Sequence, residues 1–301
     1  MSAEFEFIRW VRSRPSPSAV VEVGPGDDCA VLVPPERGLL VTTDILTEGT
    51  DFLISKASAR SIGRKAMGVN LSDIAAMGGR ATAALLGLVL PKVGFAQEDA
   101  RELYLGAEEL AHEFGVVIAG GDTNSWDGGL VVSVTVFGEE SPRGPLLRSG
   151  AKVGDAIFVT GPCGGSILGR HLNPRPRLRE IEHLMGLAPI TSCIDISDGL
   201  SADLQHILDA NRCGAILDSG AIPIHPDAVT LAKQSGKTPL EHALTDGEDF
   251  ELIFTSAAEL AGVPHAIRIG TCVESGLWLR DSTGVAPLRP GGWVHGFDAA
   301  E

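Results

Sequence analysis

Asn70-Leu71-Ser72-Asp73-Ile74-Ala75-Ala76-Met77-Gly78-Gly79 is the stretch on which the fold turns. Apolar residues recur at helical spacing from Ser58 to Met77 (Ile62, Ala66, Val69, Ile74, Met77), and the glycine pair supplies a stop. The segment predicts a helix with Asp73 near its end. Working outward, six further aspartates sit in Gly, Ser and Thr rich punctuation, at Gly26-Asp27-Asp28, Thr42-Thr43-Asp44, Gly120-Gly121-Asp122-Thr123 and Asp195-Ile196-Ser197-Asp198-Gly199. Carboxylates beside small residues that expose the backbone suit Mg²⁺ and a polyphosphate better than a packed core. Taken singly, each cluster reads as a turn, and Ser197 or Asp198 as a cap on a helix starting near Leu200. Five such clusters in one chain make the bland reading improbable.

The chain of 301 residues is long enough for about two domains. Its 44% hydrophobic and 21% charged content describes a globular protein, and a net charge of -15 with no basic block disfavours nucleic acid and anionic membrane surfaces. An anionic substrate would need bridging cations, which the aspartates can hold. Five scattered cysteines, with no C-x-x-C pair, read as reduced core residues. The segment Met1 to Arg14 lacks the order of a signal peptide, and no apolar run reaches the roughly 20 residues that span a bilayer, so the expectation is a cytoplasmic protein.

Along the chain, periodicity predicts helices at 5–13, 58–77, 98–114, from Ser166 and at 200–210. Strands are expected at 29–33, 39–43, 83–90, 116–119, 130–137, 156–160, 192–196, 215–217, 251–255 and 267–271. A Pro and Gly rich segment at 141–154 places a boundary near 148, giving domains 1–148 and 149–301. Without strict βαβ regularity, the class is α+β. No G-x-x-x-x-G-K-[ST] loop is present; Gly161-Pro162-Cys163-Gly164-Gly165-Ser166 comes closest, lacks the lysine, and reads as a strand-to-helix turn. Lys65 reads as a helix-surface lysine.

Several stretches, taken in order, resemble the motifs of the thiamine-monophosphate kinase family: Gly26-Asp27-Asp28-Cys29-Ala30, Thr42-Thr43-Asp44, Lys65-Ala66 through Gly78, Gly120-Gly121-Asp122-Thr123, Arg148-Ser149-Gly150-Ala151-Lys152, Ile194 through Leu200, and Gly247-Glu248-Asp249-Phe250-Glu251-Leu252. The resemblance covers nearly the whole chain. It implies the two-domain aminoimidazole ribonucleotide synthetase-like fold, N-terminal domains paired in a homodimer, and ATP-dependent phosphorylation of thiamine monophosphate to thiamine diphosphate. It implies Mg²⁺ ions on Asp28, Thr42, Thr43, Asp44, Asp73, Asp122, Asp195 and Asp198, with Asp44, Asp73 and Asp122 most important to catalysis. ATP would meet Tyr104, Gly121, Asp122, Arg148 and Ser197. Apart from the resemblance, Tyr104 reads as core packing and Arg148 as a solvated charge.

Two positions depart from the family pattern. Asp51 stands where a His is usual, and Phe297-Asp298-Ala299 replaces an aromatic followed by Asp-His. Together with Glu248 these are the implied acceptor contacts. Asp51 would repel a phosphate or attract the cationic thiazolium, while Phe297 keeps a ring for stacking. Alternatives are a kinase acting on another phosphorylated acceptor and a non-catalytic ATP/Mg²⁺ binding module.

Overall fold

Periodicity resolves into elements in a computed structural model, which describes residues 3–14, 18–25 and 29–294. Asp28 and Phe297 lie outside the described residues. The described chain forms two compact units, one from residues within 1–74 with 79–145 and 172–176, the other from 75–78, 146–171 and residues from 177 onward.

The first unit holds α1 (Ala3–Arg12), β1 (Val21–Val23), β2 (Val31–Leu32), β3 (Leu39–Thr47), α2 (Ala59–Ala76), β4 (Arg80–Pro91), α3 (Gln97–Glu113), β5 (Val117–Trp126) and β6 (Val131–Glu139). β1 and β2 pair as a small ribbon, and the main sheet runs β3-β6-β4-β5, antiparallel except for the parallel β4/β5 pair that α3 connects. Alternation along β6 buries Val132, Val134 and Val136 on the inner face. α2 is buried on nearly all sides, as its apolar spacing and small residues allow. Gly63 and Gly106 explain how α2 and α3 approach so closely. A Cβ on Gly63 would lie 1.8 Å from the Leu103 carbonyl oxygen, and one on Gly106 1.9 Å from that of Arg60.

Three expectations change here. β3 continues through Asp44 to Thr47, because Ile45 and Leu46 sustain the alternation. β5 runs ten residues to Trp126 instead of stopping at Ala119, since its polar half still pairs with β4 as far as Pro91. Lys65 is fully buried: its stem packs inside and its ammonium donates to the Asp51 carbonyl at 2.5 Å.

The second unit comprises β7 (Ala156–Val159), α4 (Leu178–Leu187), β8 (Ser192–Asp195), α5 (Leu200–Asn211), β9 (Gly214–Asp218), α6 (Pro226–Ser235), α7 (Pro239–Thr245), β10 (Leu252–Ser256), β11 (Ile267–Val273), β12 (Leu277–Asp281) and β13 (Gly284–Pro287). Its sheet runs β13-β12-β9-β11-β7-β10-β8. One apolar layer, including Ile157, Val159, Ile194, Leu204, Ile207 and Ile253, joins sheet to helices. The helix expected from Ser166 is absent. Gly164, Gly165 and Gly169 take φ of 93°, 76° and 127°, so only two 3-10 turns form, at Ser166–Leu168 and Arg170–Leu172.

Candidate active site

In the first unit, the period of two along β3 turns Thr42 and Asp44 toward α2, where Asp73 meets them. The Thr42 hydroxyl donates to Asp73 Oδ2 at 2.5 Å. Asp44 is half-buried, and its carboxyl is pushed up to about 7 by burial, then by the charge and hydrogen bond of Asp73, then by the charge of Asp51. Two carboxylates held together in this way favour either a shared proton or a cation. Asp51 is tied down locally, since its Oδ2 accepts from the Thr47 backbone N–H at 2.6 Å and the Thr47 hydroxyl at 3.3 Å. A structural reason for an acid at this position is therefore the β3–α2 loop itself.

Thr43 points to the opposite sheet face, where its hydroxyl lies 2.9 Å from that of Thr135. Asp44 is in register with Val134, Val134 with Leu86, and Leu86 with Gly121. Three strand spacings, about 14 Å, thus separate Asp44 from the Asp122 neighbourhood. The first unit joins Thr42, Asp44 and Asp73 but does not bring Asp122 to them.

Asp122 belongs to a second feature of this unit, a cavity of about 700 Å³ lined by Phe7, Val11, Tyr104, Gly120, Gly121 and Asp122, among others. Its apolar walls come from α1, from Tyr104 of α3 and from Leu85, Leu86 and Leu88 of β4, and its polar edge from β5 and β6. Tyr104 is 5% exposed and meets Phe7 and Trp10 edge-on at 6.5 and 5.4 Å. Burial pushes its phenol upward, so it remains neutral. Gly121 lets the β5 backbone lie bare along the cavity; a Cβ there would meet the Leu86 oxygen at 1.9 Å.

In the second unit, Asp195 ends β8 and is 6% exposed, while Ser197 and Asp198 are half-buried in the turn before α5. Neither side chain caps α5, whose N-cap is Gly199. Asp203, unnoticed in the sequence, instead holds the turn before α5 by accepting the backbone N–H groups of Ser197, Asp198 and Gly199, each at 3.0 Å. Burial still pushes its carboxyl up to about 6. An acid in the first turn of a helix was the available signal. Arg148 is exposed, and its backbone carbonyl accepts from Asn211 at 2.8 Å.

The Gly161–Ser166 turn binds anions, and they are the protein's own. Gly164 N–H donates to Asp249 and Gly165 N–H to Asp246, both at 2.8 Å. Arg170 also donates to Asp249 at 2.8 Å, and Glu248 pairs with His171. Asp246 in turn holds His242, whose Nε2 lies 2.6 Å from the Ser235 hydroxyl. This Ser-His-Asp chain resembles a hydrolase triad, but Ser235 sits at the C-terminal end of α6, where helix carbonyls oppose a developing oxyanion. It clamps the loop.

Hard oxygen donors at Thr42, Asp44 and Asp73 fit Mg²⁺. Among the described residues, no three acidic, His or Cys side chains form a ready-made cage. An ion there must take its remaining ligands from water or phosphate, as Mg²⁺ ordinarily does.

Residues 26–139 match the family model "AIR synthase related protein, N-terminal domain". A thiamine-monophosphate kinase of Rhodopirellula baltica is 44% identical over 311 residues, covering 97% of each chain. The solved thiamine-monophosphate kinase of Stenotrophomonas maltophilia superposes with a TM-score of 0.79 at 30% identity, over 92% of this chain and 96% of that one. A complex described as AaThiL with AMPPCP and TMP gives a TM-score of 0.75 at 28% identity, over 96% and 95%. No helix among the described residues is long and apolar enough to cross a membrane.

Proposed function

The chain belongs to the thiamine-monophosphate kinase family, and we infer from this that it transfers the terminal phosphoryl group of ATP to the phosphate of thiamine monophosphate, giving thiamine diphosphate and ADP. The structural observation that carries the reading is the Asp44–Asp73 couple, whose mutual repulsion a bound cation would relieve. Phosphoryl transfer needs alignment and charge neutralisation more than a covalent nucleophile. The acceptor is already an ionised phosphate, so a strong base is dispensable.

We assign magnesium to Thr42, Asp44 and Asp73 first; the family resemblance implies further ions at Asp28, Thr43, Asp122, Asp195 and Asp198, with Thr43 and Asp122 away from this group. Bound there, it would supply neutralisation of the donor phosphates. The cavity beside Tyr104, Gly121 and Asp122 is of a size ordinary for a small-molecule site and is assigned to ATP; Arg148 and Ser197 are ATP contacts on the family resemblance alone. Asp51, Glu248 and Phe297 are assigned to the acceptor. In this division, 1–148 is the ATP and Mg²⁺ domain and 149–301 the second α+β domain, in a cytoplasmic protein. A homodimer through the first unit fits the exposed apolar row Leu39, Val41 and Ile45 on edge strand β3, which are 55%, 56% and 64% exposed.

Incubation with ATP, Mg²⁺ and thiamine monophosphate tests the proposal by formation of thiamine diphosphate. Turnover only with another acceptor, or nucleotide binding without product, would overturn it.

A further inference from the structure

We propose that His171 is a positioning residue for the acceptor, fixing the Glu248 carboxylate that receives the cationic part of thiamine monophosphate. The inference rests on the assignment of Glu248 made above. Glu248 has φ 59° and Phe250 φ 52°, two left-handed residues that are not glycine, on either side of Asp249. Such strain persists only where surrounding contacts hold it, and it gathers at functional sites.

On one side the holding contacts come from the 164–171 segment. Gly164 N–H and Arg170 grip Asp249, Gly165 N–H grips Asp246, and the buried Ser166 hydroxyl donates to the Gly247 carbonyl at 2.5 Å. On the other side, Glu248 N–H donates to the Ser197 carbonyl at 2.7 Å, and Phe250 N–H to that of Ile196 at 2.9 Å. The backbone is therefore locked on both flanks of Glu248.

His171 meets the Glu248 carboxylate itself. Its Nδ1 lies 3.2 Å from Glu248 Oε2, and its side chain is 9% exposed against 30% for Glu248. The imidazole is thus a buried wall behind a carboxylate whose outer edge meets solvent. With a proton on Nδ1, the ring donates to Glu248 Oε2, while the carboxylate keeps an edge toward solvent. A carboxylate oriented in this way suits the thiazolium charge or the aminopyrimidine N–H groups, and not the acceptor phosphate.

Steady-state kinetics on His171→Ala, His171→Asn, Glu248→Gln and the double variant His171→Ala/Glu248→Gln decide the matter. His171→Ala should raise KM for thiamine monophosphate about tenfold while KM for ATP stays within about twofold. Asn places an N–H donor near the position of Nδ1, so His171→Asn should recover most of that loss. The double variant should be no worse than Glu248→Gln alone, because both changes remove one interaction. A parallel rise in both KM values, failure of the Asn rescue, or multiplicative defects would overturn the positioning role. If Glu248→Gln raises the acceptor KM and His171→Ala does not, the role of His171 alone falls. If Glu248→Gln leaves the acceptor KM unchanged, the assignment of Glu248 falls and takes this inference with it.

Discussion

Replacing Asp73 by Asn isolates the repulsion on which the metal assignment rests. Asp44 is pushed from 3.8 to about 7, with burial first and Asp73 second among the causes. At about 1.4 kcal/mol per pKa unit the whole shift is on the order of 4 kcal/mol, with burial the largest cause and the carboxylate pair the next. A raised carboxyl pKa means that the native state holds its proton longer than the unfolded one. Stability is therefore lost as pH rises from about 4 through 7, and at pH 8 the full repulsion is present. Asn keeps an acceptor for the Thr42 hydroxyl but carries no charge. In EDTA at pH 8, Asp73→Asn should raise Tm by about 2–6 °C, and the gain should shrink toward pH 5. The same variant should lose the Tm increase that Mg²⁺ gives the wild type and at least about a hundredfold in kcat. Differential scanning calorimetry with and without Mg²⁺, beside the kinase assay, reads all three. A lower Tm in EDTA at pH 8, or wild-type kcat, would refute the reasoning.

Gly106→Ala places a methyl 1.9 Å from the Arg60 carbonyl oxygen, so α2 and α3 must part, and urea titration should show a loss of about 2 kcal/mol or more. Burial pushes Asp249 up to about 7 against the pull of Arg170 and Gly164 N–H, so its contribution declines as pH rises from about 4 to 7. The stability of the wild type relative to Asp249→Asn should accordingly fall between pH 5 and 8; a flat difference would contradict the burial argument. Ile45→Glu puts a charge on the exposed apolar row of β3 and should shift sedimentation from dimer to monomer without lowering Tm appreciably.

The long periodic elements were legible because their burial is encoded in the spacing itself: α2, α3 and the inner face of β6 follow it closely. The polar half of β5 was not, since Gly121 and Asp122 break the apolar pattern while the backbone continues to pair with β4. Lys65 escaped because a sequence shows a charge but not the carbonyl that receives it. The segment after Ser166 failed as a helix because its glycines adopt left-handed conformations that only tertiary contacts select. The candidate site divides in the same way. Aspartates in punctuation pointed to the chemistry, yet the pairing of Asp44 with Asp73, and the opposite facing of Thr43, depend on register and strand alternation across the folded sheet. Asp249 lay within a quoted motif, but its grip by Gly164 and Arg170, like the pairing of His171 with Glu248, joins segments far apart in sequence, and Asp203 holds its own turn without any motif to announce it.

Calorimetric titration with a non-hydrolysable ATP analogue, in Mg²⁺ and then in EDTA, tests the central claim most directly, namely that acidic side chains hold cations which carry a polyanion into a protein of net charge -15. Saturable binding in Mg²⁺ that weakens by at least about a hundredfold in EDTA is the expected result. Equal affinity in both buffers, or no binding with Mg²⁺ in excess, would contradict it.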